Sequence, residues 1–486
     1  MKIKTNSIIR GIILVVILLL FLILNQAPQI LTKYFLINIL IINIFSLFVF
    51  SLRTETNKYL KNQYLKILYL FLVGFIIVHF QIYVEYSLDN YKFFGRDYFL
   101  DESLVSKAIL ISSIALNTFL IGYLSYKNNN IRINKSNIIY HPTQIILFFN
   151  FVLFIFFLIT NDTSYYSGGY GEGGEVLSGF PGFFQQFYVF SIISYVTVIT
   201  RNSIVCQTKV NNIISFISLF NKFFLLFVTI FLFLILLSGD RGPIIQIGIV
   251  FLASFLIITK RKLNLIVILL FLIVSSSFFS FIGYYRTFKE TNSIVNKIEL
   301  AVEAKKVSGK SKAFSPNTLE LAGSVTTFHA ALIYTENGSY TYGIFQGYQL
   351  LSIVPGFRFL FKNITGIDGD NVVSTKFLTI LIQGDNITHG SGTTAIADVY
   401  LDFGLIGTII IFFVFGYFLR KLEFKIFSDI IPSVLNLTFF FVFISKAVYI
   451  GRSQIVFVLK EAIIVYLIIV ILFYLSKLFT NPKINF

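Results

Sequence analysis

The chain has 486 residues, of which 56% are hydrophobic and only 13% charged. No soluble domain can bury so much apolar surface, so the composition excludes a soluble enzyme and makes the bilayer the solvent. A formal net charge of +16 would suggest nucleic acid as partner of a soluble protein; here it reads as anchoring charge beside a membrane, and no nucleic-acid partner is expected.

In chain order the apolar runs predict an all-α polytopic membrane protein of about twelve spans, each near the ~20 residues a bilayer requires. They lie at about 8–24, 35–52, 66–84, 106–125, 144–160, 183–200, 215–237, 243–259, 264–283, 396–418, 430–447 and 455–476. The first run is too long for a cleavable signal, and Asn25-Gln-Ala-Pro28 follows it without a small-residue cleavage site. Basic residues cluster at both termini and in every even loop, for example Arg53, Lys58 and Lys61, Lys260-Arg-Lys262, and Arg420, Lys421 and Lys425. The positive-inside rule therefore predicts both termini on the cytoplasmic side. The odd loops are short or acidic, and 85–105 carries Glu85, Asp89, Asp97, Asp101 and Glu102.

One large external loop, 284–395, separates spans 9 and 10, and the whole chain reads as a single integral domain with this loop as a subdomain. Asn292–Val307 has the pattern of an amphipathic helix. Ser315-Pro-Asn-Thr318 opens another that runs to about Tyr334, with Pro316 suited to its first turn. Phe345–Phe361 is apolar but broken at Pro355-Gly356, the pattern of an interfacial or re-entrant segment.

Few motifs carry chemistry. The single cysteine, Cys206, excludes an internal disulfide and a cysteine-built metal site, and the four histidines have no metal-ligand spacing. Gly169-Tyr-Gly-Glu-Gly-Gly174 matches a dinucleotide fingerprint in letters alone, because no strand precedes it and no Rossmann-type helix follows. Basic residues at the outer ends of spans are more informative. Arg241 sits in the turn Ser238-Gly-Asp-Arg-Gly-Pro243, beside Asp240. Tyr285 and Arg286 follow span 9, and Arg452 lies in the turn after span 11, with Lys446 about a turn and a half before it. A guanidinium at a membrane surface is costly unless paired, and it matches phosphate oxygens in a bidentate fork. Each arginine could serve a structural ion pair, Arg241 with Asp240 for instance; together they suggest a cationic pocket for an anionic headgroup such as a diphosphate. Lys460-Glu461 reads as packing against another helix. His389, Ser391, Thr393 and Thr394 lead into span 10, where Asp398 and Asp402 fall one turn apart and Tyr400 lies between them. Small polar groups beside carboxylates suit sugar hydroxyls, with His389 or Asp398 as a base. The plainer reading is a capped helix start with exposed carboxylates, favoured for Asp402.

With these residues in place the chain resembles the oligosaccharide repeat-unit polymerases, the Wzy-type O-antigen polymerase family. The resemblance lies in the span count, the late external loop, the Ser238-Gly-Asp-Arg-Gly242 turn, the Tyr284-Tyr-Arg286 exit and Gly392-Thr-Thr-Ala-Ile-Ala-Asp-Val-Tyr-Leu-Asp-Phe-Gly-Leu-Ile-Gly407. It implies a GT-C-like architecture in a bacterial inner membrane. It also implies metal-independent transfer of a growing glycan from undecaprenyl diphosphate to the next lipid-linked repeat unit, at the outer face, building a surface glycan such as O-antigen or capsule. Arg241 and Arg286 would bind the donor diphosphate; a chain-length regulator and a flippase are the implied protein partners. The related ligases carry a His-Asn pair where this chain has Thr393-Thr394, which favours polymerase over ligase. A lipid-linked oligosaccharide flippase is the rival from another class, but it should show pseudo-repeated halves and charges at the bilayer midplane.

Overall fold

The structure, a computed structural model, describes residues 2–55, 60, 63, 65–90, 92–93, 96–97, 99, 101–127, 143–161, 165, 180–261, 263, 315, 318–354, 356–384, 386–387, 390–428 and 431–480. The expected span at 264–283, Tyr285, Arg286, the 292–307 helix, the glycine run 169–174 and His389 lie outside the described residues.

The helices run α1 (Lys2–Leu24), α2 (Lys33–Ser51), α3 (Ile67–Ser87), α4 (Glu102–Ser125), α5 (Thr143–Thr160), α6 (Phe180–Val205), α7 (Ile213–Ile217), α8 (Lys222–Ser238) and α9 (Gly242–Thr259). They continue with α10 (Leu319–Ala322), α11 (Val325–Asn337), α12 (Ile344–Leu351), α13 (Phe357–Thr365), α14 (Ser374–Gln383), α15 (Ala395–Ser428), α16 (Val434–Lys446) and α17 (Ile455–Thr480). The only strands among the described residues are the two-residue pair β1 (Lys92–Phe93) and β2 (Arg96–Asp97), antiparallel with Lys92 opposite Asp97.

Among the described residues nine helices are long and apolar enough to cross a membrane: α1 to α6, α9, α15 and α17. The chain is thus helical and of polytopic membrane character. With the shorter apolar helices α8 and α16, they fall on every expected span except the ninth. Three expected spans have different limits, for local reasons. The run 215–237 splits because Asn221 caps a new helix, its side chain accepting from Phe223 N at 2.8 Å. The run 430–447 begins only at Val434, after the Ser433 cap. The run 396–418 is longer, extending to Ser428, and kinks at Gly404, whose φ of 61° and ψ of −154° only glycine adopts readily.

α4 lies at the centre, packed along α15, α1 and α2. Its approach to α15 is backbone to backbone. A Cβ on Gly122 would stand 2.0 Å from the Phe413 carbonyl oxygen, and one on Gly416 2.2 Å from that of Phe119. Lipid offers helices no hydrophobic reason to associate, so such small-residue contacts and buried hydrogen bonds must hold the bundle. Asn43 Nδ2 donates to Ser113 Oγ at 2.7 Å between α2 and α4, and Asn150 Nδ2 to Ser191 Oγ at 2.7 Å between α5 and α6. Thr200 and Ser254 hydroxyls meet at 2.6 Å between α6 and α9.

The loop residues fold back onto the bundle end that carries Arg241. The helix expected from Ser315 to Tyr334 is two, α10 and α11, broken at Gly323-Ser324. The apolar segment 345–361 divides into α12 and α13, as its Pro355-Gly356 break suggests. His329 of α11 anchors that helix to α3, its Nε2 lying 2.9 Å from Tyr83 Oη; burial pushes its imidazole down to about 4, so it is neutral at pH 7.

Candidate functional site

The Arg241 turn is built by the restart of the chain between α8 and α9. Arg241 occupies the position before the first residue of α9, with Pro243 in the first turn where its missing N–H costs nothing. Asp240, 8% exposed, accepts from Gly242 N at 2.9 Å through Oδ1 and from Gln185 Nε2 at 2.9 Å through Oδ2. Its carboxylate therefore shapes the turn. Among the described residues Glu320 of α10 faces Arg241, with Oε2 3.7 Å from Nη2. That contact is long, and the Glu320 side chain is 53% exposed, so it is a weak, displaceable pair.

The second cation comes from the turn between α16 and α17, where a 3₁₀ turn, Ile450–Arg452, presents Arg452. Its Nε lies 4.0 Å from where a Cβ on Gly392 would stand, an ordinary contact distance that places the Gly392 segment beside the guanidinium. Among the described residues no carboxylate forms an ion pair with Arg452. Tyr449, one turn earlier, lies within electrostatic reach of both arginines. Burial raises its phenol pKa; the guanidinium groups of Arg241 and Arg452 act in the opposite direction, while Asp240 and Glu320 reinforce the rise. Arg241, Arg452, Tyr449, Glu320 and the Gly392 segment thus meet at one end of the bundle. Two cations beside one phenol and a helix start are arranged as ordinary electrostatics requires for holding an oxyanion.

The other described candidates from the sequence all have partners within the protein. Asp398 is 1% exposed. Its Oδ1 accepts from Ser374 Oγ at 2.6 Å and Gln454 Nε2 at 2.9 Å, and its Oδ2 accepts from Gln346 Nε2. One carboxylate thereby ties α12, α14 and the Arg452 turn to α15. Asp402 is not exposed, contrary to the expectation from its sequence; it too is 1% exposed. It accepts from Gln346 N at 2.8 Å, Phe345 N at 3.3 Å and the Thr341 hydroxyl, capping the start of α12 from another element. Thr394 caps α15, accepting from Ala397 N at 3.1 Å, and Thr393 beside it is fully buried. Tyr400 packs edge-on against Phe328 and Tyr340. Lys446 lies 2.5 Å from Glu461 Oε1, which also accepts from Gln186 Nε2 at 2.6 Å, so this lysine faces a carboxylate of the protein. Lys460 donates to Ser352 Oγ at 2.9 Å.

Tyr449, Glu320, Gln454, Gln346 and Ser374 were not anticipated. Gln454 carried a signal in the sequence, two residues after an arginine in a polar turn between apolar runs; the others carried none. Among the described residues no group of three or more His, Cys, Asp or Glu is placed to hold a metal ion. Comparison with protein-family models, with curated proteins and with solved structures found no match.

Proposed function

We propose that this chain is a membrane glycosyltransferase that polymerises lipid-linked oligosaccharide repeat units, moving a growing glycan from a polyprenyl diphosphate onto the next lipid-linked unit. The observation that carries the reading is the convergence of Arg241 and Arg452 on Tyr449, beneath a loop that covers the same end of the bundle. In the reaction an acceptor hydroxyl attacks the anomeric carbon and loses its proton to a base. The bond from that carbon to the diphosphate oxygen breaks, and negative charge grows on the departing diphosphate. Fixed cations at that oxygen stabilise the transition state more than the ground state, because the charge is larger there. Arg286, which the family resemblance assigns to the same diphosphate, belongs to this proposal on the resemblance alone. The buried Asp398 positions the loop against the Arg452 turn, and His389 remains the candidate base.

Deletion of the gene tests the reading through the surface glycan. A polymerase predicts single repeat units with no ladder. A ligase predicts polymer left on the lipid carrier, and a flippase predicts repeat units that never reach the outer face; either result would replace the proposal. The orientation has its own test, with Cys206 replaced and single cysteines placed at Ser308 and Ser428. An impermeant thiol reagent should label intact cells at 308 and not at 428; the reverse pattern would invert the topology.

A further inference from the structure

The loop helix α13 differs from its neighbours: no residue of it is buried. Its apolar residues Phe357, Leu360, Phe361 and Ile364 recur at the spacing of one helical face. Phe357 and Phe361 lean on Tyr348 of α12, with ring centroids 5.8 and 5.0 Å away. Leu360 and Ile364, on the same face, are 53% and 81% exposed. Just before the helix, Leu351 and Val354 are 54% and 56% exposed. The charged residues from Gly343 to Ile367 are Arg358 and Lys362, both basic; Arg358 Nε donates to Tyr348 Oη at 3.2 Å, and Lys362 Nζ meets Asp368 Oδ2 at 3.2 Å in an exposed pair of the weak kind that a phosphate can replace. Such a helix, apolar along one side and, apart from the exposed Phe359, polar and cationic on the other, suits an anionic bilayer surface.

A second, independent observation gives its level. Ser352 is hydrogen-bonded to Lys460 of α17, and the candidate span of that helix is Ile455–Leu478. From Lys460 to Leu478 the helix rises about 27 Å, close to the ~30 Å thickness of a hydrocarbon core. Lys460 therefore stands near the hydrocarbon boundary, and the link to Ser352 holds the start of the α13 segment at that height.

We propose that α13 is a bilayer-surface helix, with Leu360 and Ile364 seated at the top of the acyl chains and Arg358 and Lys362 among phospholipid phosphates. The loop over the site is thereby anchored to the lipid from which an amphiphilic substrate would arrive. This inference depends on membrane embedding and not on the proposed reaction.

The chain contains no Trp, so a single introduced tryptophan reports without background. The full-length Ile364→Trp protein is placed in phosphatidylcholine–phosphatidylglycerol nanodiscs, with lipids brominated near the glycerol end of the acyl chains. Emission should be lost to the bromolipid, because the apolar face of an interfacial helix sits roughly 5–10 Å into the headgroup–acyl boundary, while aqueous iodide quenches little. Phe359→Trp, a control on the cationic side of the helix, should respond in the opposite order. If the tryptophan variant does not fold, a nitroxide at Ile364→Cys in a Cys206→Ser background reads the same depth through oxygen and nickel accessibility. Strong iodide quenching of Ile364→Trp without bromolipid quenching would overturn the proposal by placing the helix in water. Quenching by neither would overturn it as well, by placing the face against protein.

Discussion

The two ends of the bundle use buried charge in opposite ways. At one end Arg420 holds Glu55 through a two-point fork, Nη1 to Oε1 at 2.9 Å and Nη2 to Oε2 at 2.6 Å. Arg53 and Lys66 lie 3.6 and 3.9 Å from the same carboxylate. Beside them Glu423 accepts from Tyr123 Oη at 2.6 Å and from Leu68 N at 2.9 Å. Arg53 also stands over the Phe50 ring at 4.3 Å. At the other end Arg241 meets Glu320 in a long, exposed contact, and Arg452 forms no ion pair among the described residues. The same side chain is committed to the fold where a buried carboxylate forks onto it, whereas Arg452 meets no such partner among the described residues. Arginine at a membrane surface can therefore be sorted by its partners and not by its position alone.

The largest effect should appear at the paired end. Arg420→Ala removes the fork from the Glu55 carboxylate, 8% exposed, and leaves it the longer Arg53 and Lys66 contacts, a change that costs up to about 3–5 kcal/mol. Thermal unfolding in detergent should show a large drop in Tm and the membrane fraction should lose protein, whereas Arg452→Ala should melt close to wild type. Equal losses in the two variants would erase the distinction between the ends.

Asp398→Asn should be intermediate. An amide placed among three donors leaves one donor unsatisfied, at about 1–3 kcal/mol. The loop should loosen, with faster proteolysis near α12 and α14 while the bundle keeps its helicity by circular dichroism. Unchanged proteolysis would mean that Asp398 does not tie the loop down.

The smallest effect is a pH slope at the paired end. Burial alone would raise the Glu55 pKa, but the hydrogen bonds and charge of Arg420, with Lys66 and Arg53, outweigh burial and hold it below the ordinary value. A carboxyl whose pKa is lower in the folded protein adds stability that is complete above its unfolded pKa and lost as pH falls through the folded one. Melting temperature should thus decline below about pH 4.5, and the decline should be shallower in Glu55→Gln. An identical acid limb in both proteins would remove Glu55 as its source.

How far these features could be read beforehand depended on whether they are local. Apolar runs report spans directly, so the helices at 67–87, 102–125 and 455–480 agreed with expectation to within a few residues. Breaks set by one polar residue, as at Asn221, were hidden by the apolar average around them. The Arg241 and Arg452 turns were visible because a basic residue between two apolar runs has few innocuous readings. Their meeting at Tyr449 was not, since more than two hundred residues separate the turns and only the packing of α9 against α16 brings them together. Asp402 was misjudged for a similar reason: its partners, the N–H groups at the start of α12, lie 56 and 57 residues earlier in the chain.

The central proposal is that Arg241 and Arg452 bind the diphosphate and stabilise its departure. It is tested most directly by glycan chain length in a deletion strain complemented with Arg241→Ala, Arg452→Ala and the two lysine counterparts, at matched membrane levels. Losing one such contact slows transfer on the order of 10²–10³. The account therefore predicts that both alanine variants insert normally yet yield only short glycans, with poor rescue by lysine because its point charge cannot engage two oxygens. Normal chain lengths from the alanine variants at wild-type levels would contradict the account.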